Sequence, residues 1–96
     1  MPTPISLQSH VRVRDGIVFQ QLRERTVLLN SDTGVYFALD EVGTRVWNLI
    51  QEKPTLAEVL AAILAEYEGP EGQGREDLLD LVSRMEEQGL VGVVQV

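Results

Sequence analysis

Few side chains in this 96-residue chain could carry out covalent or acid–base chemistry. His10 is the only histidine and cysteine is absent, so a metal site with two histidines or a thiolate cannot be built within one chain. The sequence also offers no nucleophile with a base placed to activate it. His10 stands at the edge of a predicted strand near the N-terminus, and we interpret it as a solvent-exposed side chain without a catalytic role.

Acidic residues are numerous in the second half of the chain, but their placement does not predict catalysis. A catalytic pair of carboxylates needs a cleft that keeps the two groups in unlike environments. Gly69, Gly72 and Gly74 are not followed by a lysine and come after a predicted helix, so they do not form a phosphate-binding loop. We predict no catalytic site, no metal and no cofactor. The acidic residues fall on predicted solvent faces of helices or in a loop: Glu66, Glu68, Glu71, Glu76, Asp77, Asp80, Glu86 and Glu87.

Charge and hydropathy exclude several classes of partner. With a formal net charge of −7, the chain lacks the clustered cations that phosphate binding requires, so we predict no nucleic-acid partner. No apolar run approaches the ~18–20 residues of a membrane helix, so we predict no membrane partner, and the N-terminus does not have the pattern of a signal peptide. The absence of cysteine fits the cytoplasm, where we expect the protein to act.

Turn-forming residues divide the first half of the chain into short β-prone segments. Residues 11–14 alternate apolar and charged side chains, the period of a half-buried strand, which is either separate or an extension of the next strand. Asp15-Gly16 has the composition of a tight hairpin turn. Gly34 allows the turn between the last two segments to take a positive φ. Further strands are predicted over residues 17–22, 26–30 and 35–39.

The second half of the chain changes to the period of about 3.6 residues that amphipathic helices show. Asp40 fits the N-cap of a first helix, which Pro54 is expected to end. Trp47 lies on the apolar face of this helix and is predicted to pack in the core. Thr55 and Glu58 form a capping box at the start of a second helix.

A third helix is predicted over residues 75–88, with Gly89 as its C-cap. Before it, residues 69–74 are rich in glycine and are predicted to form a flexible loop. Residues 1–9 hold two prolines and little pattern, which predicts a loose N-terminus. Residues 91–96 are β-prone and form either a short strand or a tail.

Together these elements predict one α+β domain over residues 1–96. In it, a three-stranded antiparallel sheet is followed by three helices in a winged-helix-like arrangement. The strand at residues 35–39 carries no charge and no proline, the features that protect a sheet edge from further pairing. Either this strand is an exposed edge that binds an extended peptide, or the third helix or residues 93–96 cover it. The residues alone leave both alternatives open.

A set of positions from Leu28 to Leu90 forms a distinctive pattern: Leu28, Leu29, Asn30, Thr33, Gly34, Tyr36, Leu39, Asp40, Gly43 and Trp47, with Gly89 and Leu90 further on. This pattern resembles the PqqD-like family, the peptide-recognition domains of ribosomal peptide natural-product pathways. The resemblance extends over residues 11–91. In its length and discrete form the chain is most similar to the small leader-binding proteins of bacterial lasso-peptide clusters. The family usually has asparagine at the position of Asp40, a difference that retains the capping chemistry.

The resemblance implies peptide binding without catalysis. In the family, the leader segment of a precursor peptide adds as a further strand to the third strand and lies between that strand and the third helix. A proline at Phe37 would then abolish binding if the Phe37 N–H points to the leader. Whether Tyr36 faces the peptide or the core is open. Carried onto this sequence, the expected peptide-binding residues are Val35, Tyr36, Phe37, Ala38, Leu39, Leu78, Leu81, Val82 and Met85.

The resemblance also implies partners. The domain would present a precursor, of the lasso type, to a separate leader peptidase and a cyclase. An alternative within the family is a PqqD-type peptide chaperone that delivers a precursor to a radical maturation enzyme. A winged-helix DNA-binding regulator is a different class, and it would need more cations than the third helix has at Arg75 and Arg84. A small hydrolase is a further class, and the missing nucleophile and base argue against it.

Overall fold

Short turns divide the N-terminal half of the chain into four strands. The structure, a computed structural model, describes residues 5–53, 55–67 and 71–94. Gly16 and Gly34 take positive φ values of 84° and 75° in two of the turns, and Arg23 takes a φ of 60° in a two-residue turn. The strands predicted at residues 17–22, 26–30 and 35–39 are confirmed. The four strands are β1 (His10–Val13), β2 (Ile17–Leu22), β3 (Arg25–Asn30) and β4 (Val35–Leu39).

The strands form two separate sheets in the described part of the chain. β2, β3 and β4 pair in that order as an antiparallel meander, while β1 pairs with β5 (Val91–Val94), which follows the last helix. The prediction of a tight hairpin between the first two segments is therefore wrong. Pairing of β1 with β5 buries Val11 and Val91 together in the core. The carbonyl of Gly16 does not close a β1–β2 turn but accepts a hydrogen bond from the Ser31 N–H.

Side-chain caps start the first two helices where the sequence predicts them. Asp40 Oδ1 accepts a hydrogen bond from the Gly43 N–H at 2.8 Å before α1 (Glu41–Glu52). Thr55 Oγ1 accepts one from the Glu58 N–H at 3.4 Å before α2 (Leu56–Glu66). Pro54, the residue expected to end α1, lies outside the described residues.

The N-terminal segment, residues 5–9, packs against the start of α2. The carbonyls of Leu7 and Ser9 accept hydrogen bonds from the N–H groups of Ala57 and Leu56, at 2.7 and 3.0 Å. These donors lie in the first turn of α2 and have no partner within the helix. The described part of the predicted loose N-terminus is therefore docked, because it completes the start of α2.

α3 (Glu71–Glu87) begins earlier than the sequence predicts, at Glu71 rather than Arg75. A Cβ added at Gly74 would stand 3.1 Å from a methyl carbon of Leu64, so this glycine allows α3 to lie close to α2. Packing against α2 thus outweighs the low helix propensity of glycine. Of the predicted flexible loop at residues 69–74, the last four residues are helical, and residues 69 and 70 are not among those described.

Gly89 ends α3 as the sequence predicts, with a φ of 73°. The Leu90 N–H donates to the Met85 carbonyl at 2.9 Å, and the Gly89 N–H donates to the Glu86 carbonyl at 3.0 Å. This pair of hydrogen bonds is the Schellman arrangement, which favours glycine because of the positive φ. The chain then continues directly into β5.

The core lies between the inner face of the β2–β3–β4 sheet and the helices, and Trp47 is at its centre. Trp47 has no exposed surface, and its ring meets that of Phe19 edge-on with centroids 5.6 Å apart. The Thr26 hydroxyl donates to the Thr44 hydroxyl at 2.9 Å and joins β3 to α1. The predicted α+β class, the three-stranded sheet and the core position of Trp47 are confirmed. No helix in the described ranges is long and apolar enough to cross a bilayer.

Candidate functional site

β4 is an edge strand, and its second side is unpaired among the described residues. It pairs with β3 alone. Of residues 93–96, which the sequence left as a possible cover, Val93 and Val94 belong to β5 and pair with β1, and residues 95 and 96 lie outside the described residues. The residues from Val35 to Leu39 are uncharged and include no proline, so the strand has none of the usual protection against further pairing. Of the two alternatives that the sequence leaves open, the structure supports the exposed edge.

The register of the two hairpins determines which backbone groups of β4 point outward. Leu22 and Arg25 flank a two-residue turn between β2 and β3, and residues in this position form a hydrogen-bonded pair. Such pairs alternate with non-bonded pairs along antiparallel strands. Residues of β3 with odd numbers therefore bond to β2, and those with even numbers bond to β4. The β4 partners of these even-numbered residues are Val35, Phe37 and Leu39.

Tyr36 and Ala38 consequently direct their backbone N–H and C=O groups to the free edge. Their side chains lie on the outer face of the sheet, where Tyr36 is 69% exposed. Leu39, on the opposite face, is 3% exposed and belongs to the core, with Phe37 packed beside it. Tyr36 thus faces away from the core, which settles its orientation. A strand added to β4 would place alternate side chains on the inner and outer faces.

The apolar stripe of α3 is mostly part of the core. Leu78, Val82 and Met85 are 4%, 0% and 0% exposed, so little of their surface can meet a ligand. Leu81 is only partly buried and is the member of the predicted stripe with accessible side-chain surface. The three buried residues hold α3 in place beneath this surface.

A groove of about 590 Å³ opens beside Leu81, between the start of α1 and helices α2 and α3. Asp40, which directly follows β4, also lines it, so the groove begins next to the C-terminal end of this strand. Val42 and Leu64 are not among the site residues expected from the sequence, because their spacing is that of ordinary apolar helix faces. The apolar lining consists of Val42, Val46, Ile63, Leu64, Tyr67, Leu78 and Leu81.

The rim of the groove is mainly acidic. Asp40, Asp77 and Asp80 line it together with a single cation, Arg84, whose Nε lies 3.3 Å from Asp80 Oδ2. Burial raises the pKa of the Tyr67 phenol above its ordinary value, and the nearby carboxylates of α1 and α2 raise that pKa further. Tyr67 therefore remains a neutral group that can donate a hydrogen bond at the groove wall.

These surfaces present backbone donors and acceptors, apolar side chains and carboxylates. The part of the groove lining that the structure describes includes no histidine, lysine, serine or threonine. His10 begins β1 in the other sheet and does not line the groove. The edge offers paired hydrogen-bond donors and acceptors, and the groove offers apolar contact. This combination is the one that strand addition uses for affinity and selectivity.

A match to a family profile, which spans the site, places the chain in a known family. The profile of the PqqD family, described as coenzyme PQQ synthesis protein D, matches residues 25–91, more than half of the chain. The chain belongs to the PqqD family. The matched region of this PqqD-family chain runs from the first residue of β3 to the first residue of β5, so it contains β4, the groove and α3. A comparison with curated proteins gave no match.

Two solved structures share the fold of this PqqD-family chain. One is TbiB1 in complex with the TbiA(beta) leader peptide, which is 34% identical, with 83% of this chain and 93% of that chain covered and a TM-score of 0.79. The other is a lasso peptide synthetase B1 complexed with the leader peptide, 24% identical, with coverage of 85% and 96% and a TM-score of 0.77. The second shows the fold alone. The family resemblance seen in the sequence is confirmed.

This PqqD-family chain has a second apolar surface, on the outer face of the β2–β3–β4 sheet. Val18, Leu22 and Tyr36 are 59%, 58% and 69% exposed there. Val18, Leu29 and Tyr36 lie in one row across the three strands, and Val27 and Ala38 lie in the next row. Exposed apolar groups that adjoin in this way are typical of an interaction surface. No role for this face was expected from the sequence, although alternation along β2 places Val18 and Leu22 on the same side.

Proposed function

We propose that this PqqD-family domain binds the leader segment of a ribosomally made precursor peptide, of the lasso type, without catalysing a reaction on it. The observation that carries the proposal is the uncharged free edge of β4 beside an apolar groove. TbiB1, 34% identical, was solved with a leader peptide, which supports the same class of ligand here. A ribosomally made precursor would be met in the cytoplasm, so the proposal assigns the domain to that compartment.

In this proposal the leader pairs with the backbone groups of Tyr36 and Ala38. Backbone pairing contributes affinity with little demand on the leader sequence. Leader side chains opposite Phe37 and Leu39 project to the inner face, where Leu81 and the groove lie. Burial of one large apolar side chain there contributes about 1.5–3 kcal/mol. Selectivity therefore comes from the inner-face side chains of the leader, while Leu78, Val82 and Met85 support the groove from the core.

The proposal predicts that Leu81→Arg weakens leader binding by about tenfold or more, a loss of about 1.4 kcal/mol. The arginine places a charge where an apolar leader side chain would be buried, and that charge loses hydration when the leader binds. Titration of the wild-type domain and the variant with a synthetic leader peptide, followed by fluorescence anisotropy, measures the two dissociation constants.

Leu79→Arg is the matched control for this prediction, because Leu79 lies on the same helix but does not line the groove. The control should bind the leader as the wild type does, provided that circular dichroism shows both variants folded. Equal affinity in all three proteins would rule out the groove as part of the site. If the wild-type domain bound no leader at all, the proposed function itself would be wrong.

We also propose that the domain presents the bound leader to a separate leader peptidase and cyclase. A leader on the β4 edge leaves the outer sheet face uncovered, and that face is apolar at Val18, Leu22 and Tyr36. The added strand would extend this face, because half of the leader side chains point to the same side. A partner enzyme that docks there would contact the domain and the leader together.

Val18→Glu is predicted to reduce leader removal by the peptidase about tenfold, while the leader affinity of the domain stays unchanged. The carboxylate lies on the outer face, away from the backbone groups of β4, and would have to be desolvated in an apolar interface. Cleavage of precursor by purified peptidase, with wild-type or variant domain added, measures the effect. Ala61→Glu adds the same charge on the exposed side of α2 and should have no effect. Normal cleavage with Val18→Glu would exclude the outer face as the docking surface.

Two alternatives have less support. A PqqD-type chaperone for a radical maturation enzyme would use the same edge. However, binding of a leader is favoured because TbiB1, 34% identical, was solved with a leader peptide. The lasso type follows from the length and discrete form of the chain. A DNA-binding role would require a basic face on α3. That helix carries Arg75 and Arg84 among many carboxylates, and the whole chain has a net charge of −7.

A further inference from the structure

Asn30, the last residue of β3, is a buried side chain whose amide is hydrogen-bonded at both ends. It is 6% exposed. Nδ2 donates to the carbonyl oxygens of Gln88 and Gly89, at 3.1 and 3.4 Å, directly after α3. Oδ1 accepts from the N–H groups of Asp32 and Thr33, at 3.0 and 3.4 Å, in the turn that precedes β4. One amide therefore connects the end of α3 to the start of β4.

The contact between Asn30 and the end of α3 leaves no spare space. A Cβ added to Gly89 would stand 2.9 Å from Asn30 Nδ2, closer than a Cβ atom can lie. On the other side, the Asn30 carbonyl accepts a hydrogen bond from the Gly34 N–H at 2.7 Å, and Asn30 is the register partner of Val35. The position of Asn30 thus determines where β4 begins and how near α3 lies to it.

An open gap lies beside Asn30, between the turn that precedes β4 and the last turn of α3. Asp32 and Thr33 line one side of this gap, Glu86 and Glu87 line the other, residues of β1 and β5 also line it, and Asn30 borders it. A leader that runs between β4 and α3 would reach this gap at the N-terminal end of β4. The separation of the two walls at this end therefore depends on the amide of Asn30.

We infer that Asn30 is a positioning residue for peptide binding, which holds the start of β4 at a fixed separation from the end of α3. The inference rests on the proposed function, in which the leader occupies the space between these two elements. Asn30 acts through its neighbours. A leader strand that pairs with Tyr36 and Ala38 also places its inner-face side chains next to α3, so it fits only if α3 lies at the right distance from β4. Without the Nδ2 donor, the carbonyls of Gln88 and Gly89 lose their link to β3, and the end of α3 is free to shift.

Asn30→Asp tests this inference, because it keeps an acceptor for Asp32 and Thr33 but removes the donor to α3. The Kd for a synthetic leader peptide is expected to rise about tenfold at a temperature where the variant is fully folded. Thr44→Val is the matched control: it removes another buried hydrogen bond of β3, the one from Thr26 to α1, and no contact with the end of α3 or with the turn before β4. Denaturant unfolding of both variants gives the loss of stability, and titration with leader gives the Kd of the folded protein.

A purely structural role and a positioning role give different results in this comparison. Positioning predicts a higher Kd for Asn30→Asp than for Thr44→Val at comparable stability, with shifted amide NMR signals of Tyr36 and Ala38 in the free variant. Equal Kd values for wild type and Asn30→Asp would overturn the inference while leaving the proposed function intact. If Asn30→Asp does not fold, Asn30→Ser, which also cannot span both contacts, is judged by the same criterion. Failure of the wild type to bind leader would instead overturn the proposed function.

Discussion

Ala38→Pro is expected to abolish leader binding, with a loss of at least about 100-fold in affinity, or ~2.7 kcal/mol. The register of the sheet directs the Ala38 N–H to the free edge, so proline removes a donor that the leader needs and breaks no bond to β3. The proline ring also occupies the space that an approaching strand would fill. Proline is tolerated on edge strands in this orientation. Isothermal titration with a synthetic leader peptide measures the loss, and circular dichroism shows whether the helices remain folded.

Two further proline variants make the result interpretable. Gln21→Pro removes an outward N–H from β2, at the opposite edge of the same sheet, and should leave leader affinity unchanged. Phe37→Pro, the variant that the sequence suggested, removes an N–H that bonds to Leu28 of β3, and it should destabilise the sheet itself. If Ala38→Pro still bound leader within a few-fold of the wild type, strand addition at β4 would be excluded.

The sequence predicts the elements that local patterns determine. The strands at residues 17–22 and 35–39, the Asp40 and Thr55 caps and the Gly89 C-cap each follow from a few neighbouring residues. The pairing of β1 with β5 does not, because it joins segments about 80 residues apart, as in His10 with Val94. Asp15-Gly16 is compatible with a hairpin, and burial of Val11 with Val91 decides against it. Local turn composition was outweighed by tertiary packing.

The candidate site was predictable as a strand and a helix, but not in its details. The absence of charge in β4 indicates an open edge, whereas the outward direction of the Tyr36 and Ala38 amides requires the register. Periodicity assigns Leu78, Leu81, Val82 and Met85 to one stripe of α3, yet Leu81 is half-buried and the other three are buried. The groove also depends on Gly74. Because this residue has no side chain, the first turns of α3 can lie close to α2. Such a surface forms only when three helices meet.

Trp47→Ala is expected to reduce the free energy of unfolding by about 3–5 kcal/mol, a large share of the stability of a small domain. Trp47 is fully buried in α1 beneath the sheet, and its replacement leaves a cavity next to Phe19 and removes their edge-on contact. Its Nε1 is buried and makes no hydrogen bond to any described residue, so the loss is one of packing and apolar burial. Urea unfolding followed by circular dichroism measures it.

Trp47→Phe tests whether the loss in free energy of unfolding comes from lost packing or from any substitution at this position. Phenylalanine keeps an aromatic group and loses no hydrogen bond, so its cost should fall clearly below that of alanine. A loss below ~1 kcal/mol for Trp47→Ala would contradict the central place of this residue in the core. Saturating leader should partly restore the stability of the alanine variant, because a ligand that binds only the folded state stabilises it by mass action. Such a gain in stability would show that the core around Trp47 and the β4 edge fold and unfold together.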